Sequence, residues 1–236
     1  MKIITNEKLI RRNSRIAQIA SLGGLSVLIG GMIVSFTRQE LINLAFAALL
    51  AGFLLSQIGI YFTNRFGRRP RSDELLNQAL KGFDNTYSLY HYVTPASHLF
   101  VGPAGIWVLL TRHQRGVITF TKGRWRLKGG GFAQAYLRIF AQENIGRPDL
   151  EMMNEISNVQ KYLSKLLPLG NVPPIEAVLV FLNDNAEIQI SETDNPTAPA
   201  LKINKLKEFM RKAAKGKPVS MSKISEIQSV LPTGSL

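Results

Sequence analysis

The chain lacks cysteine altogether and has only two tryptophans and three histidines in 236 residues. Without cysteine there is no disulfide, no thiolate metal site and no cysteine nucleophile. Acid is also scarce: sixteen Asp and Glu stand against twenty-nine Lys and Arg, for a formal net charge of +13. The shortage is concentrated in one place. From Asn85 to Gln142, fifty-eight residues pass without an Asp or Glu. Hydrolysis of phosphates or peptides commonly draws on carboxylates as metal ligands or general bases, so this stretch lacks the usual tools for it. No P-loop, dinucleotide fingerprint or nucleophile elbow occurs, and nothing after Gly129-Gly-Gly131 completes a phosphate cradle.

What the same stretch does carry is positive charge. Seven Lys and Arg fall in it (Arg112, Arg115, Lys122, Arg124, Arg126, Lys128 and Arg138), together with all three histidines. Such a balance favours a polyanion as neighbour, either nucleic acid or anionic lipid.

Two apolar segments suggest where the chain resides. Residues 17–36 and 41–64 contain no charged side chain. About twenty helical residues span about 30 Å, the thickness of a bilayer's hydrocarbon core. A cleaved signal peptide fits poorly, because the first run is too long and no A-x-A-like site ends it. The pattern predicts a transmembrane helical hairpin preceded by a basic N-terminus (residues 1–16). Lys2, Lys8, Arg11, Arg12 and Arg15 precede the first span, and Arg65, Arg68, Arg69 and Arg71 follow the second. The positive-inside rule then puts both termini in the cytoplasm, with the helices in the inner (cell) membrane. Small residues recur at helical spacing, Ala20, Gly24, Gly31 and Ser35 on one span and Ala48, Gly52, Ser56 and Gly59 on the other. They suit packing within the hairpin or, alternatively, a homo-oligomer. Nothing ionisable lies inside either span, which argues against a channel or transporter.

After a linker (residues 65–71), strands and helices alternate. Ser72 opens a short helix to about Lys81. Strands are expected at 87–93, 99–101 and 106–110, the last an uninterrupted apolar run covered on both faces. Residues 117–121 and 124–128 read as a hairpin turning at Lys122-Gly123. A helix is expected over 149–167, between Pro148 and Pro168, with Leu150, Met153, Ile156, Val159 and Leu163 at helical spacing. Strands at 177–182, 186–190 and 200–203 follow, then a helix capped by Asn204 to about Ala214 and a last short one over 222–231. The fold class is α/β or α+β around a mixed sheet.

The run from Ser97 to Arg112, with Gly102-Pro-Ala-Gly105 before an apolar strand, then Gly116 and Trp125, resembles the core of the NERD (nuclease-related) domain. The resemblance covers about residues 72–212, leaving 213–236 as a tail with a short helix. It implies a restriction-endonuclease-like fold in which an Asp and an acid-x-Lys triplet hold a divalent metal. Here Ser97 stands at the Asp position, Leu110 at the acid position and Arg112 at the Lys position. Leucine cannot bind a hard cation, and a serine alone binds one poorly. Arginine is permanently charged and cannot do a lysine's proton chemistry. The resemblance therefore implies a scaffold without catalytic residues, metal ligands or a cofactor. Mg²⁺ enters only if relocated acids such as Glu74 or Asp184 replace the missing ones.

His98 and His113 are placed to meet at neighbouring strand ends, but two histidines make a weak metal signal beside the simpler reading of hydrogen-bonded side chains. In the predicted hairpin, Arg124, Arg126 and Lys128 alternate with Trp125 and Leu127. Strand period sets the cations on one face. With Arg112, Arg115 and Lys122 they form a candidate polyanion-binding ladder for DNA, RNA or lipid head groups. Seven further cations between Lys202 and Lys217 suit a solvated helix face. Three functions follow as expectations. The first is a membrane-anchored, non-catalytic module that binds nucleic acid or another polyanion. The others are a tethered metal-dependent nuclease with relocated ligands and a structural or protein-interaction module.

Overall fold

The computed structural model describes residues 1–128, 145–167, 172–191, 194–216 and 218–234. Gly129, Gly130, Gly131, Arg138, Pro168 and Lys217 lie outside them. The contacts divide the chain into two compact units. One is made by residues 8–71. The other combines residues 1–7 with 72–128 and the described residues from Ile145 onward.

The first unit is a helical hairpin. Helix α1 spans Glu7–Thr37, a single 3-10 turn follows at Gln39–Leu41, and α2 spans Ile42–Phe62. Both are long and apolar enough to cross a membrane. Less than a fifth of the apolar stretch of either helix is buried, unlike a helix in a soluble core, and Phe36 is 83% exposed. The small residues lie between the helices. A Cβ on Gly24 would stand 2.8 Å from Ser56 N and 3.0 Å from Gly52 O, while one on Gly31 would stand 3.1 Å from the Ala48 Cβ. Gly59 faces Ser21 in the same way. These glycines serve packing within the hairpin by letting the backbones approach.

Helix α1 starts at Glu7 rather than Ala17. The basic stretch ahead of the apolar span contains no Gly or Pro to stop a helix, so Lys8, Arg11, Arg12 and Arg15 are helical. The residues before it, Lys2–Thr5, are a strand, β1. Much of the basic N-terminus is thus ordered structure.

In the second unit, α3 (Ser72–Ala79) leads to β2 (Ser88–His91), β3 (His98–Gly102) and β4 (Gly105–Arg112). Next come the hairpin β5 (Gly116–Thr121) and β6 (Arg124–Lys128), then α4 (Pro148–Leu166). β7 (Ile175–Phe181), β8 (Ala186–Ile190), β9 (Ala200–Lys202), α5 (Ile203–Gly216) and α6 (Met221–Val230) complete it. Six strands form a mixed sheet in the order β1-β2-β3-β4-β7-β9, and three more form a sheet in the order β6-β5-β8.

β1 joins β2 in parallel, with Lys2 opposite Ser88 and Thr5 opposite His91. β2, β3 and β4 run antiparallel in turn, the last pair closed by Pro103-Ala104 between Gly102 and Gly105. Gly105 has φ +104, which suits a residue without Cβ. The parallel pair β4–β7 carries on as the parallel pair β5–β8. Its two short links are tied together by Leu182 N–H to Arg112 O at 2.8 Å and Gly116 N–H to Asn185 O at 3.0 Å.

β4 is covered on both faces, as its unbroken apolar run requires. Trp107 and Leu109 face α3 and α5 through Leu76, Leu80, Leu206 and Met210. Val108 and Leu110 share the other core with Trp125, Val159, Phe181 and Ile227. Three boundaries or faces differ from the sequence expectation. In α4 Val159 and Leu163 are buried as expected and Ile156 packs against the core, but Met152 takes the place of Met153, and Leu150 and Met153 are about half exposed (48% and 53%). α5 begins directly at the end of β9, so Asn204 lies in its first turn rather than capping it. The segment after residue 212 is not a tail, because Ile224, Ile227 and Leu231 are buried in the core.

Candidate functional site

The three positions singled out by the NERD pattern lie at one end of β3 and β4. Continuing the β3–β4 register from Leu99↔Val108 sets Ser97 opposite Leu110. Leu110 is 5% exposed inside the core. Ser97 Oγ donates to Glu155 Oε1 at 3.0 Å. Arg112 Nη2 donates to Glu151 Oε1 at 2.6 Å, its Nε to Ile145 O at 3.2 Å and its Nη1 to Thr111 O at 3.1 Å.

Acid therefore does reach the acid-free stretch, but from α4. Glu151 and Glu155 are one turn apart and project from the same side of that helix. Neither was expected here from the sequence. Asp184, suggested as a relocated ligand, is exposed and its carbonyl accepts from Lys202 Nζ at 3.0 Å. Glu74 belongs to α3, which packs on the other face of the sheet from Leu110. The residues present do not fit a divalent ion at the positions of the pattern. A buried leucine fills one of them, and a guanidinium already neutralises Glu151. Among the described residues, no group of three or more His, Asp or Glu is arranged to hold a metal.

Arg112 is thus set apart from the other ladder cations. Its side chain is only 15% exposed, and two of its donors join the end of β4 to α4 and the segment just before it, through Glu151 and Ile145 O. Arg115, Lys122, Arg124, Arg126 and Lys128 are all exposed.

The hairpin is formed as its sequence implies. Lys122 and Gly123 have φ +53 and +68, the two positive values that a type I′ turn needs. The Asp194 carboxylate holds the turn by accepting from Lys122 N–H at 3.1 and 3.2 Å. Along β6 the alternation is complete: Arg124, Arg126 and Lys128 are exposed, while Trp125 is 5% exposed and packs on Phe120 at 4.9 Å and Phe181 at 6.2 Å between ring centroids. The tryptophan fixes the strand, and the strand then fixes the spacing of its cations, about 6.8 Å between alternate residues. Thr121, Thr119 and Val117 lie opposite Arg124, Arg126 and Lys128 on β5, and Thr119 is buried. Beyond Thr119 and Val117, β8 sets Gln189 and Glu187. Among the described residues, no carboxylate lies within salt-bridge distance of Arg124, Arg126 or Lys128.

The second basic cluster behaves differently. Lys207 Nζ hydrogen-bonds Lys81 O just past α3. Lys202 holds Asp184 O, Lys205 pairs with Glu208 at 3.5 Å, and the Arg211 guanidinium lies 5.9 Å from the Phe83 ring centroid. Lys207 and Arg211 thus brace α5 against the segment after α3, while Lys205 pairs within α5 and Lys202 belongs to β9.

The histidines pair in an unexpected way. His98 meets His91 rather than His113, with Nδ1 to Nδ1 at 2.8 Å. His91 Nε2 contacts Asn77 Oδ1 at 3.0 Å. The antiparallel register puts His91 opposite His98, and both are buried (0% and 2% exposed). A bond between two Nδ1 atoms needs one proton between them. With His91 Nε2–H donating to Asn77, neutral His91 accepts at Nδ1 from His98 Nδ1–H. His113 instead contacts Ser72 Oγ through Nε2 at 3.1 Å. These contacts join α3 to the sheet.

The fold and these contacts define a class: a chain with a mixed-sheet α/β unit and a hairpin of two apolar helices long enough to cross a membrane. Comparison of the chain with protein-family models, curated proteins and solved structures yields no match in any of the three.

Proposed function

We propose that the chain is a membrane-anchored module with a restriction-endonuclease-like, NERD-related scaffold. It performs no cleavage and uses the β5–β6 hairpin to hold a nucleic acid or similar polyanion at the cytoplasmic face of the cell membrane. The carrying observation is the ladder, with Arg124, Arg126 and Lys128 exposed at alternate positions of one rigid strand. The elements that the NERD pattern calls for occur in order: the Gly-Pro-x-Gly turn, the buried strand after it, the hairpin with Trp125, the helix after Pro148 and the strand through Val178. The non-catalytic part rests on Leu110 in the core and on Arg112 bound to Glu151.

The membrane side is supported by β1. Its pairing with β2 keeps residues 2–5 in the same unit as residues 72–128 and the described residues from Ile145 onward, which an even number of crossings allows. The basic flanks of both helices favour the cytoplasm for that side.

The test uses the full chain in nanodiscs of zwitterionic lipid, with a fluorescent nucleic-acid probe and a salt titration. Binding is expected to weaken steeply with salt. Replacing Arg124, Arg126 and Lys128 together by Gln is expected to flatten the log–log slope on a duplex by about 2.7, at about 0.9 for each phosphate no longer neutralised. Replacing Lys212 and Lys215 by Gln serves as the control with little effect. Absence of binding at low salt refutes the proposal. So does Mg²⁺- or Mn²⁺-dependent cleavage that disappears in Glu151→Gln or Glu155→Gln.

A further inference from the structure

Among the described residues, the ladder face carries no aromatic ring. Its cations come from β6, β5 adds Val117, Thr119 and Thr121, and β8 adds Gln189 and Glu187. The one ring on β6, Trp125, points into the core. The same holds across the unit: none of the large apolar side chains exposed on its described residues is aromatic. Phe83, Tyr92, Tyr162 and Phe209 are half-buried and the other described rings are buried.

Proteins that hold single-stranded nucleic acid stack its bases on exposed rings, each worth about five- to 150-fold in affinity, and that gain offsets the ordering of a flexible strand. Among the described residues the ladder face offers no platform for bases, and what its cations supply is attraction to phosphate. It is greatest where phosphates are dense and already fixed, as along a duplex with one charge per about 1.7 Å of axis. The positive strip is also narrow. Glu187 shares the face with Lys128 two strands away, about 10 Å across the sheet, so the cations form a single row.

Resting on the reading that the ladder holds a polyanion, we infer that its partner is double-stranded nucleic acid, gripped along one phosphate backbone without reading of bases. Arg124, Arg126 and Lys128 each meet a phosphate, and the row of three spans about 14 Å of strand. Fluid lipid head groups need no such fixed spacing.

The experiment uses the full chain in zwitterionic nanodiscs at one salt concentration. The probes are a 20-base-pair duplex of AT-rich and of GC-rich sequence, one matching single strand, and an abasic single strand of equal length. Separately, vesicles with about one-third anionic lipid are offered. The duplexes are expected to bind within threefold of each other and at least tenfold tighter than the single strand. The abasic strand is expected to bind within threefold of the base-bearing one. The triple Gln variant is expected to lose most of the duplex advantage. A base-bearing strand binding tenfold tighter than the abasic one, or as tightly as the duplex, overturns the inference while leaving the ladder as a polyanion site. Ladder-dependent binding to anionic vesicles alone overturns the inference and identifies the partner as a membrane. Binding to none of the probes overturns the proposed function itself.

Discussion

Adjacent glycines in α1 are expected to respond in opposite directions to the same substitution. A Cβ at Gly24 would lie 2.6 Å from Ser56 Oγ, 2.8 Å from Ser56 N and 3.0 Å from Gly52 O. The hydroxyl can rotate away, but the two backbone atoms cannot, so Gly24→Ala must push the helices apart by several tenths of an ångström. Overpacking of this kind costs about 1–3 kcal/mol. The better helix propensity of alanine returns up to about 1 kcal/mol, which when returned in full leaves a net loss of at most about 2 kcal/mol. At Gly23 nothing lies within 4 Å of the same atom. There Gly23→Ala keeps only the propensity gain, at most about 1 kcal/mol. The propensity term is common to both, so Gly24→Ala should be less stable than Gly23→Ala by the overpacking cost, about 1–3 kcal/mol. Reversible unfolding of the full chain in mixed micelles, titrated with a denaturing detergent, reads both. Gly30→Ala repeats the open case, and Gly59→Ala the closed one, where Ser21 N would stand 2.7 Å away. Equal effects at Gly23 and Gly24, or a stabilised Gly24→Ala, would refute the assignment of these glycines to the helix contact.

Three other outcomes are expected. Arg112→Gln breaks the pair with Glu151 and the bond to Ile145 O; since Glu151 is 48% exposed, solvent screening limits the loss to about 1–2 kcal/mol. Thermal unfolding should show it, Arg112→Lys should recover only part because it has no fork, and duplex affinity should change less than twofold. His91→Leu and His98→Leu should each cost about 2–3 kcal/mol by stranding a buried ring nitrogen, and the double variant should cost clearly less than their sum; additive losses in denaturant titrations would contradict the Nδ1–Nδ1 bond. Burial pushes the Tyr90 phenol above its ordinary value near 10, opposed by a hydrogen bond with Ser88. Its contribution is therefore complete below about pH 10 and is lost as pH rises through the folded value, so Tyr90→Phe should flatten the fall of stability above pH 10, and an unchanged alkaline limb would exclude Tyr90 as its source.

Local chemistry made part of this molecule legible in its sequence. Lys122-Gly123 between alternating strands announced a turn, and both residues have the positive φ that it needs. The run Ile106–Leu110 announced a strand covered twice, and two cores meet on it. The alternation of Arg124, Trp125 and Arg126 foretold which side chains face out. What could not be read was contact between distant residues. β1 has four residues, no turn signal beside it and a parallel partner at Ser88–His91; nothing within a short window marks it. Glu151 and Glu155 looked like the polar side of an amphipathic helix. Only the packing of α4 brings them to Ser97 and Arg112. His91 was passed over for the same reason, since its pairing with His98 depends on strand register and not on spacing along the chain.

The place of β1 in the sheet has a consequence for biogenesis. Eighty-three positions separate Thr5 from Ser88, and at about 5–20 residues per second translation leaves β1 waiting roughly 4–17 seconds for its partner. During that interval both apolar helices emerge, and in the proposed topology the hairpin inserts while β1 stays on the side where β2 will form. A hairpin inserted the wrong way round would leave β1 and the bulk of the sheet together on the wrong side, but a helix that failed to cross would separate them for good. The edge of β2, whose four residues are all buried, would then be bare and open to pairing with another chain. In the proposed two-span topology, pairing of β1 with β2 therefore acts as a check that both helices have crossed.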